Sequence, residues 1–137
     1  MATSEKVIVF LGYTFSGHHH DYKMLKLELP PELDWFVGLS VWVDLGYLGL
    51  QTDYVGEQIQ RPHKKPRKSK LYPDTCLTDD QKADNKALSQ LRIFVEHAIG
   101  GIKRYNILVH RFRNHRQNFH DDVIAISAAL WNFSLAY

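Results

Sequence analysis

The segment from Thr78 to Lys103 constrains the fold more than any other part of the sequence, because it carries one uninterrupted helical pattern with its own start signal. Thr78-Asp-Asp-Gln81 has the form of a capping box. The Thr hydroxyl accepts from the amide three residues on, and the Gln side chain reaches back to the Thr amide. Beyond it Ala83, Ala87, Leu91, Phe94, Val95, Ala98 and Ile102 recur at spacings of three and four. That recurrence marks a single apolar stripe and predicts a helix to about Lys103.

Around this helix the chain alternates strand and helix signals. Residues 6–15 are rich in β-branched and aromatic side chains and stop at Ser16-Gly17, which predicts a strand buried on both faces. Residues 21–29 read as a short helix stopped by Pro30-Pro31. Residues 39–43 read as a second strand that delivers Asp44 at its end, before the turn Gly46-Tyr-Leu-Gly49. The pattern fades from Gln51 to Leu77, so a basic loop is expected at about 56–77. Its stretch from Arg61 to Lys70 holds two prolines and no acid. Residues 121–136 are apolar nearly all round, as expected of a helix packed deep against a sheet. The expected class is α/β, with a mixed sheet flanked by helices.

A chain of 137 residues with 45% hydrophobic side chains suits one domain with a core. Its single cysteine, Cys76, forms no internal disulfide, which makes a reducing setting the default. No apolar run reaches the ~18 residues of a membrane helix. The reading therefore excludes a membrane protein and a disulfide-stapled secreted scaffold.

The net charge of +2 conceals an asymmetry. Residues 1–60 carry 3 basic and 8 acidic side chains, and residues 61–116 carry 14 basic and 5 acidic. Of the 17 Lys and Arg, 11 lie in residues 61–70 and 103–116. Positive charge concentrated in part of a near-neutral chain points to a polyanionic partner. A solvated loop and a salt-bridged helix would carry the same charges.

Two carboxylates stand out as candidates for chemistry. On a helical wheel, Arg92, Lys103, Glu96 and Gly100 fall at about 100°, 120°, 140° and 180° from Leu91, on one flank of the stripe. An ordinary helix flank with one Arg92–Glu96 ion pair gives the same pattern. Asp44 sits at the carboxyl end of a strand, where α/β sheets usually present ligands, although an Asp there also commonly starts a turn. Together Asp44 and Glu96 have the oxygen donors that a hard divalent cation such as Mg²⁺ takes.

Val43-Asp44-Leu-Gly-Tyr-Leu-Gly49, followed by Arg92-x3-Glu96-x6-Lys103, resembles the catalytic part of bacterial insertion-sequence DDE transposases. The similarity is to the branch whose last catalytic helix carries Tyr-x2-Arg-x3-Glu-x6-Lys, with Ser89 at the Tyr position here. Gly17-His-His-His-Asp21 resembles the family's Gly-x-x-His-Asp segment, so the likeness covers nearly the whole chain. It implies an RNase H-like fold and metal-dependent cleavage and strand transfer of DNA. Asp44 and Glu96 would be catalytic metal ligands, with Mg²⁺ as cofactor and Mn²⁺ as its substitute. Arg92, Lys103 and Arg104 would position phosphates near the scissile bond. Arg61, Lys64, Lys65, Arg67, Lys68, Lys70, Arg111 and Arg113 would track the DNA backbone. The implied setting is the bacterial cytoplasm, on nucleoid DNA, with homo-oligomers at the insertion-sequence ends and target.

In that family the first catalytic Asp lies on the first strand of the sheet. Here residues 6–15 correspond by order to a later strand, and no Asp precedes Asp21. The expectation is a C-terminal portion of one RNase H-like catalytic domain that lacks the leading strands and depends on an N-terminal transposase segment. The alternative is an inactive DNA-binding or transposase-binding fragment, a regulator or a remnant.

Overall fold

The computed structural model describes residues 1–15, 17–68, 75–114 and 116–137. The chain divides into two compact units, residues 19–90 and residues 1–18 with 91–137. The division falls within the long helix.

In the unit of residues 19–90, α1 spans Asp21–Glu28. His20 caps it, its Nδ1 accepting from the Tyr22 amide at 3.3 Å. Asp21 in the first turn and Lys26 in the last match the helix dipole. The helix ends at Leu29, where the following proline disfavours helical geometry. Strand β1 spans Phe36–Trp42 and β2 spans Gly56–Gln60, and the two form a parallel sheet. The link over residues 43–55 holds a 3-10 turn, Leu45–Tyr47, and the single-turn helix α2, Leu50–Asp53. Its length is near the dozen or so residues that a parallel connection needs. Gly49 begins α2 at φ +104, where a Cβ would be strained and would also stand 3.3 Å from the Tyr22 ring.

Leu29, Phe36, Leu50, Tyr54 and Leu88 are the buried apolar side chains of this unit among the described residues. The Tyr54 ring lies 5.3 Å from that of Phe36, and its hydroxyl donates to the Leu29 carbonyl at 2.6 Å. That bond closes the open carbonyl end of α1, a net gain of about 1 kcal/mol in a buried setting. Strand β2 corrects the sequence reading, which ran the basic loop from about residue 56. Gly-Glu-Gln-Ile-Gln shows no apolar alternation. Its pairing comes from β1, reinforced by the Trp42 indole N–H on Gln60 Oε1 at 3.0 Å and Gln51 Nε2 on the Ile59 carbonyl at 2.6 Å.

Helix α3 spans Asp79–Lys103, as its pattern predicts. The capping box is reciprocal: the Gln81 amide donates to Thr78 Oγ1 at 3.2 Å, and the Thr78 amide donates to Gln81 Oε1 at 3.1 Å. The buried stripe is narrower than expected. Leu88 and Ala98 are buried, whereas Ala83, Ala87 and Val95 are exposed.

In the other unit, residues 6–15 do not form a strand. The described residues there show only an isolated antiparallel bridge between Ala2 and Ile8. Instead α4, Phe119–Ala136, supplies side chains to this backbone. The Ile8 amide donates to Asn132 Oδ1 at 2.9 Å and its carbonyl accepts from Asn132 Nδ2 at 2.8 Å. The Trp131 indole N–H donates to the Lys6 carbonyl at 2.9 Å, and the Thr14 amide donates to Asp121 Oδ1 at 2.8 Å. The strand propensity of the segment expresses itself only with a partner strand, and here its backbone bonds to residues 1–3 and to polar side chains of a helix. The expected mixed sheet is therefore, among the described residues, a two-stranded parallel one.

Helix α4 buries Val123, Ser127, Ala128 and Trp131 and leaves Ile126 61% and Phe133 64% exposed. It is covered on one face only, not packed deep as its composition suggests. Trp131 lies against α3 at Gly101, where a Cβ would overlap the indole. No helix among the described residues is long and apolar enough to cross a membrane.

Replacing Gly101 by Ala is expected to destabilise the chain by about 1–3 kcal/mol through overpacking. Gly100→Ala, with nothing within 4 Å of the added Cβ, is expected to stabilise the helix by about 0.5–1 kcal/mol. Urea unfolding midpoints of the two variants measure the contrast.

Candidate active site and nucleic-acid interface

Asp44 is separated from the end of β1 by Val43 alone, whose amide still donates to the Gln60 carbonyl of β2 at 3.0 Å. The sheet thus fixes the chain one residue before the carboxylate. Asp44 then caps the 3-10 turn, its Oδ1 accepting from the Leu45 amide at 2.6 Å and its carbonyl from the Tyr47 amide at 3.1 Å. The residue is exposed.

Helix α1 braces this turn. The Tyr22 and Tyr47 rings meet edge to face at 6.4 Å, and Asp21 Oδ2 stands 3.9 Å from where a Cβ on Gly46 would be. Burial first, then the negative charges of Asp21 and Asp44, push the Tyr47 phenol above its usual range. Below the turn, the Tyr22 hydroxyl donates to Asp53 Oδ2 at 2.6 Å. Lys26 Nζ pairs with the same oxygen and lies 4.7 Å from the centre of the Tyr22 ring. The hydrogen bond from Lys26, then that from Tyr22, hold the Asp53 carboxyl below the usual carboxylate range. Burial, then the bond to Asp53, raises Tyr22. Sequence spacing does not reveal this bracing, because Tyr22 and Asp53 are distant in the chain.

Arg92, Glu96 and Lys103 all lie on α3. Arg92 Nη2 is 3.8 Å from Glu96 Oε1, with side chains 44% and 65% exposed, a loose surface pair of a few tenths of a kcal/mol. Lys103 is exposed in the last turn. Arg104 lies just beyond, its guanidinium 5.7 Å from the Trp131 ring centre. It is therefore partly engaged in a cation–π contact, a role that charge counting does not disclose. Ser89 is exposed on the same helix.

Asp44 belongs to one compact unit and Glu96 to the other. Both are solvent-accessible carboxylates, which fit a hard divalent cation in donor type. Among the described residues no group of three or more His, Cys, Asp or Glu side chains is gathered to hold a metal ion.

The basic loop is anchored at its entrance. Arg61 Nε donates to Gln51 Oε1 at 3.0 Å. The His63 backbone is bracketed by the Asn85 side chain at 2.7 and 3.1 Å, and its ring Nε2 is 3.0 Å from Asp84 Oδ2. Lys64, Lys65, Arg67 and Lys68 follow, all exposed and in no ion pair with a described residue. Lys70 lies outside the described residues. In the other unit Arg111 and Arg113 are likewise exposed and without an ion pair among the described residues. The anchoring pair Asp84 and Asn85 carries no sequence signal, since both read as solvated helix positions.

The sequence model of the DDE superfamily endonucleases matches residues 1–132. The chain belongs to this superfamily. The match includes Asp44 and the whole of α3, so the transposase-like motifs lie within family sequence. This DDE chain is also 31% identical, over 131 residues, to a probable transposase for insertion sequence element IS702 from Microchaete diplosiphon. The similarity covers 94% of the chain and 42% of that protein, so the chain spans less than half the length of this relative. The resemblance to DDE insertion-sequence transposases read from the motifs is thereby borne out. No solved structure matches the chain significantly.

The stability that Asp53 contributes is expected to be present above pH ~4, the ordinary Asp value, and to be lost as the pH falls through its depressed folded-state value. Thermal melts between pH 2 and pH 6 should show a shallower acid limb for Asp53→Asn than for the parent chain. Parallel curves would remove Asp53 as a source of acid sensitivity.

Proposed function

We propose that this chain is the part of an insertion-sequence transposase that carries the second and third catalytic carboxylates, Asp44 and Glu96, on an RNase H-like scaffold. The observation that carries the reading is the Arg92-x3-Glu96-x6-Lys103 ridge. These three residues share one continuous helix inside the sequence matched by the DDE endonuclease family. Asp44 at the end of a parallel strand supports it, because strand ends of such sheets are where ligands are usually met.

In this reading Asp44 and Glu96 are the residues that would hold Mg²⁺, or Mn²⁺ in its place. When bound, the metal supplies charge stabilisation for phosphoryl displacement and activates the attacking oxygen. Arg92 offers a planar fork and Lys103 a point charge to phosphate oxygens near the scissile bond. Arg104, seated over Trp131, extends this positive end. Arg61, Lys64, Lys65, Arg67, Lys68, Lys70, Arg111 and Arg113 neutralise DNA backbone without reading sequence. The first catalytic carboxylate is assigned to an N-terminal transposase segment, and the working form to a homo-oligomer on nucleoid DNA.

Glu96→Gln keeps the size of the side chain and removes its charge. In a mixture of this chain with the N-terminal transposase segment, it is expected to abolish Mg²⁺- or Mn²⁺-dependent nicking of DNA carrying the element's ends, while DNA affinity is retained. Nicking that survives the substitution removes Glu96 as a metal ligand. DNA binding without nicking even by the parent mixture would instead support the regulator or remnant.

Neutralising Lys64, Lys65, Arg67 and Lys68 to Gln is expected to weaken DNA binding. Its dependence on salt should also flatten, by up to about 0.9 for each phosphate that the loop no longer neutralises. Affinity measured from 50 to 200 mM salt tests this, and an unchanged slope makes the loop a bystander.

A further inference from the structure

The segment between α3 and α4 sets an aromatic ring, Phe112, for which the proposed function has no role, between two of the cations assigned to the DNA backbone, Arg111 and Arg113. His110, Arg111, Phe112 and Arg113 line a solvent-open recess of about 670 Å³. Phe112 is half-buried, with its ring held from the first turn of α4. It meets Phe119 edge to face at 5.9 Å and 81°, and lies 4.5 Å from the His120 ring at 61°. The turn that returns the chain to α4 is tight. Asn118 takes φ +61, and the Phe119 amide donates to the Arg116 carbonyl at 3.2 Å.

Three rings therefore gather at the mouth of the helix and outside its core, which consists of Val123, Ser127, Ala128 and Trp131. Packing restrains the Phe112 ring while leaving part of it open. The flanking charges are uniform. Arg111 and Arg113 are exposed and form no ion pair with a described residue, whereas Arg116 stands 3.8 Å from Asp122. Among the described residues no carboxylate lines the recess.

We propose that this recess is a stacking site for an unpaired base of single-stranded DNA. The base lies against Phe112, and the adjoining phosphates meet Arg111 and Arg113. This inference rests on the DNA-binding reading above and goes beyond it by naming the strand form. A restrained aromatic ring between two guanidinium groups that pair with no carboxylate among the described residues matches a nucleotide, which is flat and apolar at one end and anionic at the other. Duplex backbone alone would use the arginines but not the ring, because paired bases are already stacked on one another. The recess, about 670 Å³ and open to solvent, leaves room for one base to approach the ring.

The test uses the whole chain. It is titrated with a single strand containing 2-aminopurine and with a blunt duplex of the same sequence. The expected result is a changed 2-aminopurine emission on binding of the single strand. Phe112→Leu should bind the single strand about tenfold more weakly, with duplex affinity and salt slope unchanged. Phe112→Tyr should restore the single-strand affinity. Arg111→Gln with Arg113→Gln should lower the salt slope for both DNAs. Binding of both DNAs with a normal salt slope but no emission change overturns the stacking site alone. So does a Phe112→Leu variant that binds the single strand as the parent does, or that loses both DNAs equally. Binding of neither DNA by the parent chain overturns the DNA reading itself, and the stacking site with it.

Discussion

The contact between Trp131 and Gly101 organises everything around it in the unit that carries Glu96. The absence of a Cβ on Gly101 lets the indole sit against the α3 backbone. The indole N–H then reaches the Lys6 carbonyl, and the neighbouring Asn132 takes both polar groups of Ile8. One side chain of α4 thus ties α3 to α4, and its neighbour helps secure the N-terminal segment. The same ring receives Arg104. The helix carrying Arg92, Glu96 and Lys103 is therefore set against α4 at a glycine, through the room that its missing Cβ leaves.

The unit carrying Asp44 is organised in a different way. Its aliphatic core is small, and tyrosines extend it because they bring both apolar area and a polar tip. Tyr54 packs on Phe36 and closes the carbonyl end of α1. Tyr22 supports the turn after Asp44 with its ring and holds Asp53 with its hydroxyl. Asp44 consequently sits on a surface turn that is supported from below by the Tyr22 ring, itself held by a half-buried hydrogen bond to Asp53, and from one side by the sheet. Such a support suits a residue that must face solvent and yet keep its position.

Much of the local structure was legible in the sequence. The capping box at Thr78, the length of α3, the helix stopped by Pro30 and the strand ending before Asp44 all appear near where their local patterns put them. Family membership was legible too, because the residues that carry the resemblance, Asp44 with its glycine turn and then Arg92, Glu96 and Lys103, keep their order and spacing along the chain. β2 was hidden, since Gly-Glu-Gln-Ile-Gln looks like loop until Phe36–Trp42 lies beside it. Residues 6–15 misled in the opposite direction, offering strand composition to a backbone that side chains of α4 hold instead.

By itself, then, the sequence determined the features that depend on residues within about four positions of each other: helix starts and stops, the ridge of α3, and the blocks of positive charge. These features rest on local hydrogen bonds and on the helical repeat, which any window of the chain carries. Only the tertiary structure decided which backbone found a partner, which apolar faces were covered, and which charges were already engaged. Asp53 meets Tyr22 and Lys26, Asn132 meets Ile8, and Arg104 meets Trp131 across separations that no sequence period records. Those pairings exist because chain closure brings distant residues together, and each depends on all the packing around it.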